Sequence, residues 1–293
     1  MKLLTTASVI HVMDEENIPA ITIVAGETLQ VETAKPGIPD EVFTKDYSVE
    51  PHPKRILTIT GPIYVEGCEP GDLLKVEILD IQLDTRGKMW MGQWMGILKD
   101  EVDHCCKRDV LVENGVVHFS ETTQFPIQPM IGTLGVVPAG TPVDCLTPGR
   151  HGGNMDAREI AIGSTVYLPV QVKGGLLAVG DVHAAMGMGE VFGTGIEIGS
   201  TVTMRIDVVK GQSLPWPLVE RENSYDFLIS GPDLDENCRE AVRTTIAFLM
   251  QRNGISFDEA YALAGQTCDL KIAQVVNPER TVAMEIPKSI LKS

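Results

Sequence analysis

Positive charge is in short supply in this chain. Its 293 residues hold 24 Lys and Arg against 40 Asp and Glu, a net charge of −16. Such a surface repels phosphate backbones and anionic membranes, which argues against a nucleic-acid or membrane partner. The acidity is otherwise accounted for by solubility. Aromatic residues are also few, at 5%. Cysteines number six, at Cys68, Cys105, Cys106, Cys145, Cys238 and Cys268, and none forms a C-x-x-C pair. They are too sparse for a disulfide framework, and the adjacent Cys105 and Cys106 do not suit zinc. The expectation is reduced thiols in a cytoplasmic protein. No segment approaches the ~20 apolar residues of a membrane span. The opening "MKLLTTASVIHVMDEE" is broken by Thr5, Thr6, Ser8 and His11 and then turns acidic, so it reads as a first strand rather than a signal peptide. G-x-S-x-G, the P-loop and a helix-opening G-x-G-x-x-G are all missing, as is the Gly/Ser-rich stretch of a serine amidase. There is no internal repeat and no low-complexity linker.

What is present points to strands. Hydrophobic content is 43%, enough for one large domain or two smaller ones, and 28 Gly and 18 Pro imply many turns. "AITIVAGETLQVET" reads as two strands around a Gly turn, and "RILTITGPIYVEG" and "DLLKVEILDIQL" as strands joined by "CEPGD". Leu74, Val76 and Ile78 alternate with polar residues, after which the apolar phase slips to Leu79, Ile81 and Leu83; a β-bulge would produce that slip. Asn114-Gly115 in "VLVENGVVHF" predicts a hairpin, and Lys173-Gly174 between "STVYLPVQV" and "GLLAVGDVH" is a second candidate. "STVTMRIDVVKG" adds a strand, and "QVVNPERTVAMEIP" gives strand around an Asn-Pro turn.

Helices come late. Asp233 with Glu236, and Ser256 with Glu259, have the spacing of N-terminal caps, and Gly254 is placed to close the first helix. Leu234, Cys238, Ala241, Val242, Thr245 and Leu249 recur near the helical period. The class is mainly β (α+β): a β-sandwich-like or barrel-like portion with further antiparallel strands and a helical C-terminal portion. The expected organisation is a β-rich portion over 1–145 and a portion over 146–293 with the site-bearing strands and the helices, or one intertwined domain.

Polar residues stand out in "HGGNMD" and "GDVHAAMGMGE". Asn154 and Asp156, and likewise Asp181 and His183, are two apart, and in extended chain such residues share a face. Neighbouring glycines allow close approach. Carboxylate plus imidazole suits zinc or a similar divalent ion. His151, Asp156, Asp181 and His183, with Glu190 as a further candidate, are therefore the metal-ligating set. The alternative is that Asp-x-His is a hydrogen-bonded pair that fixes a turn. Glu66, two after Tyr64, reads either as a cavity-facing base or ligand or as an exposed strand-end acid. "GTGIEIG" reads as a turn, and the Trp90–Trp94 stretch as pocket wall, core or subunit contact.

Together "TGPIYVEGCEPGDLLKVEILDI", "PMIGTLGVVPAG", "HGGNMD", "VYLPVQVKGGLLAVGDVHAAMGMGE" and "CDLKIAQVVNPERTVAMEIPK" resemble the acetamidase/formamidase family. The resemblance implies a predominantly β fold with a β-sandwich portion, a homodimer or higher homo-oligomer, and hydrolysis of small linear amides to ammonia and a carboxylate. It strengthens the case for a divalent metal, zinc before calcium. In that reading Glu190 or Glu66 moves the proton and Asn154 donates to the oxyanion. The family's usual pattern ends Gly-Asp-Gly-Glu, where this chain has Gly187-Met188-Gly189-Glu190. A thioether carries no charge and is a weak ligand. Met188 thus leaves open a complete site, a pocket shifted to apolar substrates, or a catalytically impaired protein that binds small molecules or metal.

Overall fold

The computed structural model describes residues 1–34, 37 and 57–292. Among them, 18 strands join in one hydrogen-bonded network, mostly antiparallel, and two further strands form a small separate pair. At its centre runs the strand Glu197–Val209. It pairs on one side with Glu27–Thr33 and on the other with the 19-residue strand Leu73–Met91. Strands from both sides of residue 145 pair with one another: Thr165–Pro169 and Glu197–Val209 both lie against Leu73–Met91. Inward side chains including Leu29, Val31, Ile63, Val76, Leu134, Val179 and Val202 form one contiguous core, so the network folds over on itself.

The predicted bulge is present. Thr203 faces Asp80 while Met204 faces Ile78, so Leu79 is the extra residue. It is 46% exposed, whereas Ile78 and Ile81 are buried. The Asn114-Gly115 hairpin also forms, with φ of 52° and 77° at its two turn residues, as a type I′ turn requires. The Lys173-Gly174 hairpin does not. Thr165–Pro169 pairs with Leu73–Met91 and Leu218–Glu220, and Leu177–His183 pairs elsewhere. Gly174, Gly175 and Leu176 all have positive φ, and Gly174 packs so close to Tyr64 that a Cβ there would meet its ring at 2.2 Å. That run of left-handed residues turns the chain away from its predecessor instead of folding it back.

Helix α1 (Leu234–Asn253) is capped by Asp233, which accepts from the Glu236 backbone N–H at 3.0 Å, and it ends on Gly254 at φ 64°. Helix α2 (Phe257–Thr267) carries the full reciprocal cap between Ser256 and Glu259. Ala241, Ile246 and Leu249 of α1 and Ala260 and Ala264 of α2 pack on Phe227, Ile229, Val282 and Met284 to make a second core. No helix among the described residues is long and apolar enough to cross a membrane. All six cysteines are free. Burial pushes the thiols of Cys68 and Cys145 up to about 11 and about 12.

Candidate active site

The strand Leu177–His183 delivers Asp181 and His183 to a point where three strands meet. His183 pairs with Met130 on the strand Met130–Gly135 and with Glu197 at the start of Glu197–Val209. Its ring is fully buried, with Nε2 3.0 Å from Oε1 of Glu197 and 3.5 Å from Oδ1 of Asp181. Ligand atoms of Asp156, His183 and Glu190 lie within 4.8 Å of one another, and so do those of Asp181, His183 and Glu197. One imidazole is thus shared by two carboxylate pairs.

The backbone is bent to achieve this. Asp156, Asp181 and Glu190 have φ of 44°, 56° and 45°, three of the five non-glycine residues with left-handed φ among the described residues. Such values persist only where surrounding structure imposes them. The Asp156 N–H is held by the Gly132 carbonyl, and the loop before Glu190 is docked through Gly189, which exchanges backbone bonds with Ala273 and Val275. Two glycines supply room. A Cβ on Gly132 would stand 2.4 Å from Asp156 Oδ1 and 2.7 Å from Asp181 Oδ2, and one on Gly195 would stand 2.6 Å from His183 Cγ.

The cluster opens on a cavity of about 80 Å³ lined by Asn154, Asp181, Glu190, Glu197, Asn277 and Trp90, among others. Drug-sized ligands occupy roughly 300–1,000 Å³, so this space suits a much smaller molecule. Asn277 donates to Asp156 Oδ2 at 2.6 Å. The Thr133 hydroxyl donates to Asn154 Oδ1 at 2.5 Å, which leaves Nδ2 as the donor end of a side chain that lines the cavity.

No Lys or Arg lines this cavity among the described residues, and its electrostatics follow. Burial pushes Asp156 up to about 6, helped by the neighbouring Asp181 charge and opposed by His183 and Asn277. Burial pushes Glu197 up to about 8 against the pull of His183. Glu190 is raised well above the usual carboxylate range by burial and by Asp156. Burial also opposes charge on Asp181, yet His183 and hydrogen bonds hold it below its ordinary value. His183 in turn is held well above the ordinary histidine value, because Glu197 and Asp181 outweigh burial. Burial thus disfavours charge on Glu190 and Glu197, while His183 and Asp181 favour each other's charged form.

These residues fit a divalent cation. Among the described residues, Asp156 Oδ1, Glu190 Oε2 and His183 Nδ1 are buried with no hydrogen-bond partner, and His183 Nε2 faces only carboxylates. Buried polar atoms are rarely left so, and carboxylate oxygens with one imidazole nitrogen form a donor set that divalent metals accept.

Of the residues expected from sequence, Asp156, Asp181, His183 and Glu190 come together, and Asn154 stands at the cavity wall. His151 does not join them. It is buried between Gly149 and Gly153, absent from both ligand groups, and burial alone pushes its pKa down to about 4. Glu66 is exposed at the end of the strand Ile59–Glu66 and is absent from the cavity wall. Met188 is half-buried and does not line the cavity. Sequence reading missed Glu197, Asn277, Thr133 and Gly132. Glu197 lies in a stretch whose glycines suggest a turn, and Asn277 precedes a proline that suggests another. What joins Glu197 to the site is its register opposite His183, which no local pattern records.

Comparison with known proteins agrees with this architecture. An acetamidase crystal structure from Bacillus halodurans superposes with a TM-score of 0.91 at 36% identity, covering 97% of each chain. A predicted acetamidase/formamidase from Thermoanaerobacter tengcongensis gives 0.91 at 35%, covering 99% of this chain and 96% of that one. The acetamidase of Mycolicibacterium smegmatis is 28% identical over 217 residues, 52% of this chain and 53% of that protein. The match thus spans about half the length of that curated relative. The Acetamidase/Formamidase family model matches residues 6–145 and 141–293, so the chain belongs to the acetamidase/formamidase family.

Proposed function

We propose that this protein hydrolyses small linear amides to ammonia and a carboxylate, with a divalent cation held by the buried cluster. The observation that carries the reading is the convergence of three buried carboxyl groups and the half-buried Asp181 on His183, with unpartnered oxygens on Asp156 and Glu190, beside a cavity too small for a large substrate. Asp156, Asp181, Glu197 and His183 would hold the cation, zinc before calcium because an imidazole nitrogen is among the donors. When bound, such an ion supplies Lewis acidity toward a carbonyl and toward water. Glu190 takes the proton of the attacking water and hands it to the leaving nitrogen, since a poor amine leaving group must depart protonated. Asn154 Nδ2 donates to the developing oxyanion. Thr133 orients Asn154, and Asn277 orients Asp156. The reading as an impaired binder rests on Met188, and that side chain does not line the cavity.

The test is ammonia release from a panel of short amides by the parent protein and by Asp181→Ala, His183→Ala and Glu190→Gln. Each variant is expected to lose at least about 10²-fold in turnover, with circular dichroism unchanged. Near-normal turnover in folded Asp181→Ala or His183→Ala would remove the cluster from the chemistry.

A further inference from the structure

Beside the acidic cavity lies a second, of about 720 Å³. Most of its wall is apolar, with Met89, Phe125, Met186, Phe192 and Ile196 among the lining residues. Two cations, Arg108 and Arg158, also line it in a chain of net charge −16. The Arg108 guanidinium stacks 4.3 Å from the centroid of the Phe119 ring, and Arg158 donates to the Gln128 side-chain oxygen at 2.6 Å. Among the described residues, no carboxylate pairs with either. A guanidinium in an apolar cleft is suited to a planar oxyanion, which it binds through two parallel N–H donors.

Two residues line both cavities, Trp90 and Thr194. Each is only 8% exposed, and among the described residues the Trp90 indole N–H and the Thr194 hydroxyl have no hydrogen-bond partner. An indole N–H can only donate. Buried donors are ordinarily satisfied, so two such groups at one neck point to a polar ligand atom that sits there.

We propose that the two cavities form one binding path, and that this protein acts on amides whose apolar acyl chain ends in a carboxylate. The inference rests on the amidase reading for the role of the acidic cavity. Charge sets the orientation. The terminal carboxylate is attracted to Arg108 and Arg158, whereas no lysine or arginine lines the acidic cavity among the described residues, so the uncharged amide end enters the acidic cavity. The acyl chain crosses the neck, and Trp90 Nε1–H and the Thr194 hydroxyl, which line the acidic cavity together with Asn154, donate to the amide carbonyl oxygen alongside Asn154 Nδ2. Hydrolysis adds the elements of water across the carbon–nitrogen bond: oxygen goes to the acyl carbon, the protons to the departing ammonia. The product is a dicarboxylate.

The experiment measures KM for monoamides of linear α,ω-dicarboxylic acids over a range of chain lengths, against unsubstituted amides of the same lengths. The parent is expected to favour the carboxylate-ended series by about tenfold to a hundredfold in KM at the best length. In Arg108→Gln and Arg158→Gln that ratio should fall toward one, and raised ionic strength should shrink it in the parent. Thr194→Val and Trp90→Phe, which remove the polar atom and keep the shape, should raise KM for both series. A ratio near one in the parent, or a ratio unmoved in both arginine variants, overturns the proposal while the amidase reading stands. If no amide is turned over, the amidase reading fails, and calorimetry with the linear dicarboxylates decides. Binding that is weakened in the arginine variants keeps the carboxylate path; absent or unaltered binding overturns it.

Discussion

Gly132 contributes no side chain, and the site depends on that. Asp156 and Asp181 close over the space where a Cβ would sit 2.4–2.7 Å from their oxygens. Gly132→Ala is therefore expected to force the two carboxylates apart, costing about 1–3 kcal/mol of stability and most of the turnover. Chemical denaturation and ammonia release on the same sample would check both effects. His151 makes the opposite point. It was chosen for its chemistry and its place in "HGGNMD", but a metal ligand needs neighbours, and it is absent from both ligand groups. Burial holds it neutral, with its pKa down from 6.5 to about 4. Between those values the unfolded chain takes up a proton at this residue and the folded chain does not, so stability falls as pH falls. Below about 4 both states are protonated and the loss stops growing. Comparing urea unfolding of the parent and His151→Gln across pH 7 to 4 should show a smaller acid loss in the variant, by order of 3 kcal/mol. Parallel curves would contradict that. At this scale Asp181 and His183 were legible because the i, i+2 pair is local. Glu197, Asn277 and Thr133 were not, because each reaches the site through register or a long-range hydrogen bond.

Elements were legible where the cause is local. The phase slip at Leu79 foretold the bulge, since alternation reports which face is buried. The Asn-Gly pair foretold its hairpin, since few other dipeptides accept two positive φ values. The caps at Asp233 and Ser256 were read from spacing, although Glu236 turns its carboxylate to Arg239 and only Ser256 and Glu259 close the reciprocal box. Ser256→Ala should cost about 0.5–2 kcal/mol, read as a lowered midpoint in thermal unfolding; no shift would mean that α2 is held by packing alone. The Lys173-Gly174 turn was misread because a dipeptide does not say which strand its successor will pair with. That choice is made by the left-handed run through Leu176 and by the pairing of Leu177–His183 with the strands Ile59–Glu66 and Met130–Gly135.

At the scale of the whole molecule, acidity has two meanings. The chain carries a net charge of −16, and three buried acids and the half-buried Asp181 surround one histidine, with no lysine or arginine lining the cavity among the described residues. Burial favours the protonated form of three of these acids, Asp156, Glu190 and Glu197. A divalent cation that binds there should release protons and bind more tightly as pH rises, and it should raise the unfolding temperature with its concentration. Calorimetric titrations in buffers of different ionisation enthalpy would count the protons. No release at neutral pH would mean that the carboxyl groups are already ionised. The network that creates this cluster joins strands from across the chain, which is why the mainly β class could be read from alternation and turns while the pairing could not. The central claim is that the His183 cluster turns over small amides with a bound cation. The most direct test is ammonia release from a short aliphatic amide by protein stripped with a chelator and then supplied with one divalent ion at a time. Release is expected to disappear on stripping and return with one ion, and Asp181→Ala is expected not to recover under the same treatment. Release unchanged by complete removal of metal, or recovery by Asp181→Ala equal to that of the parent, would contradict it.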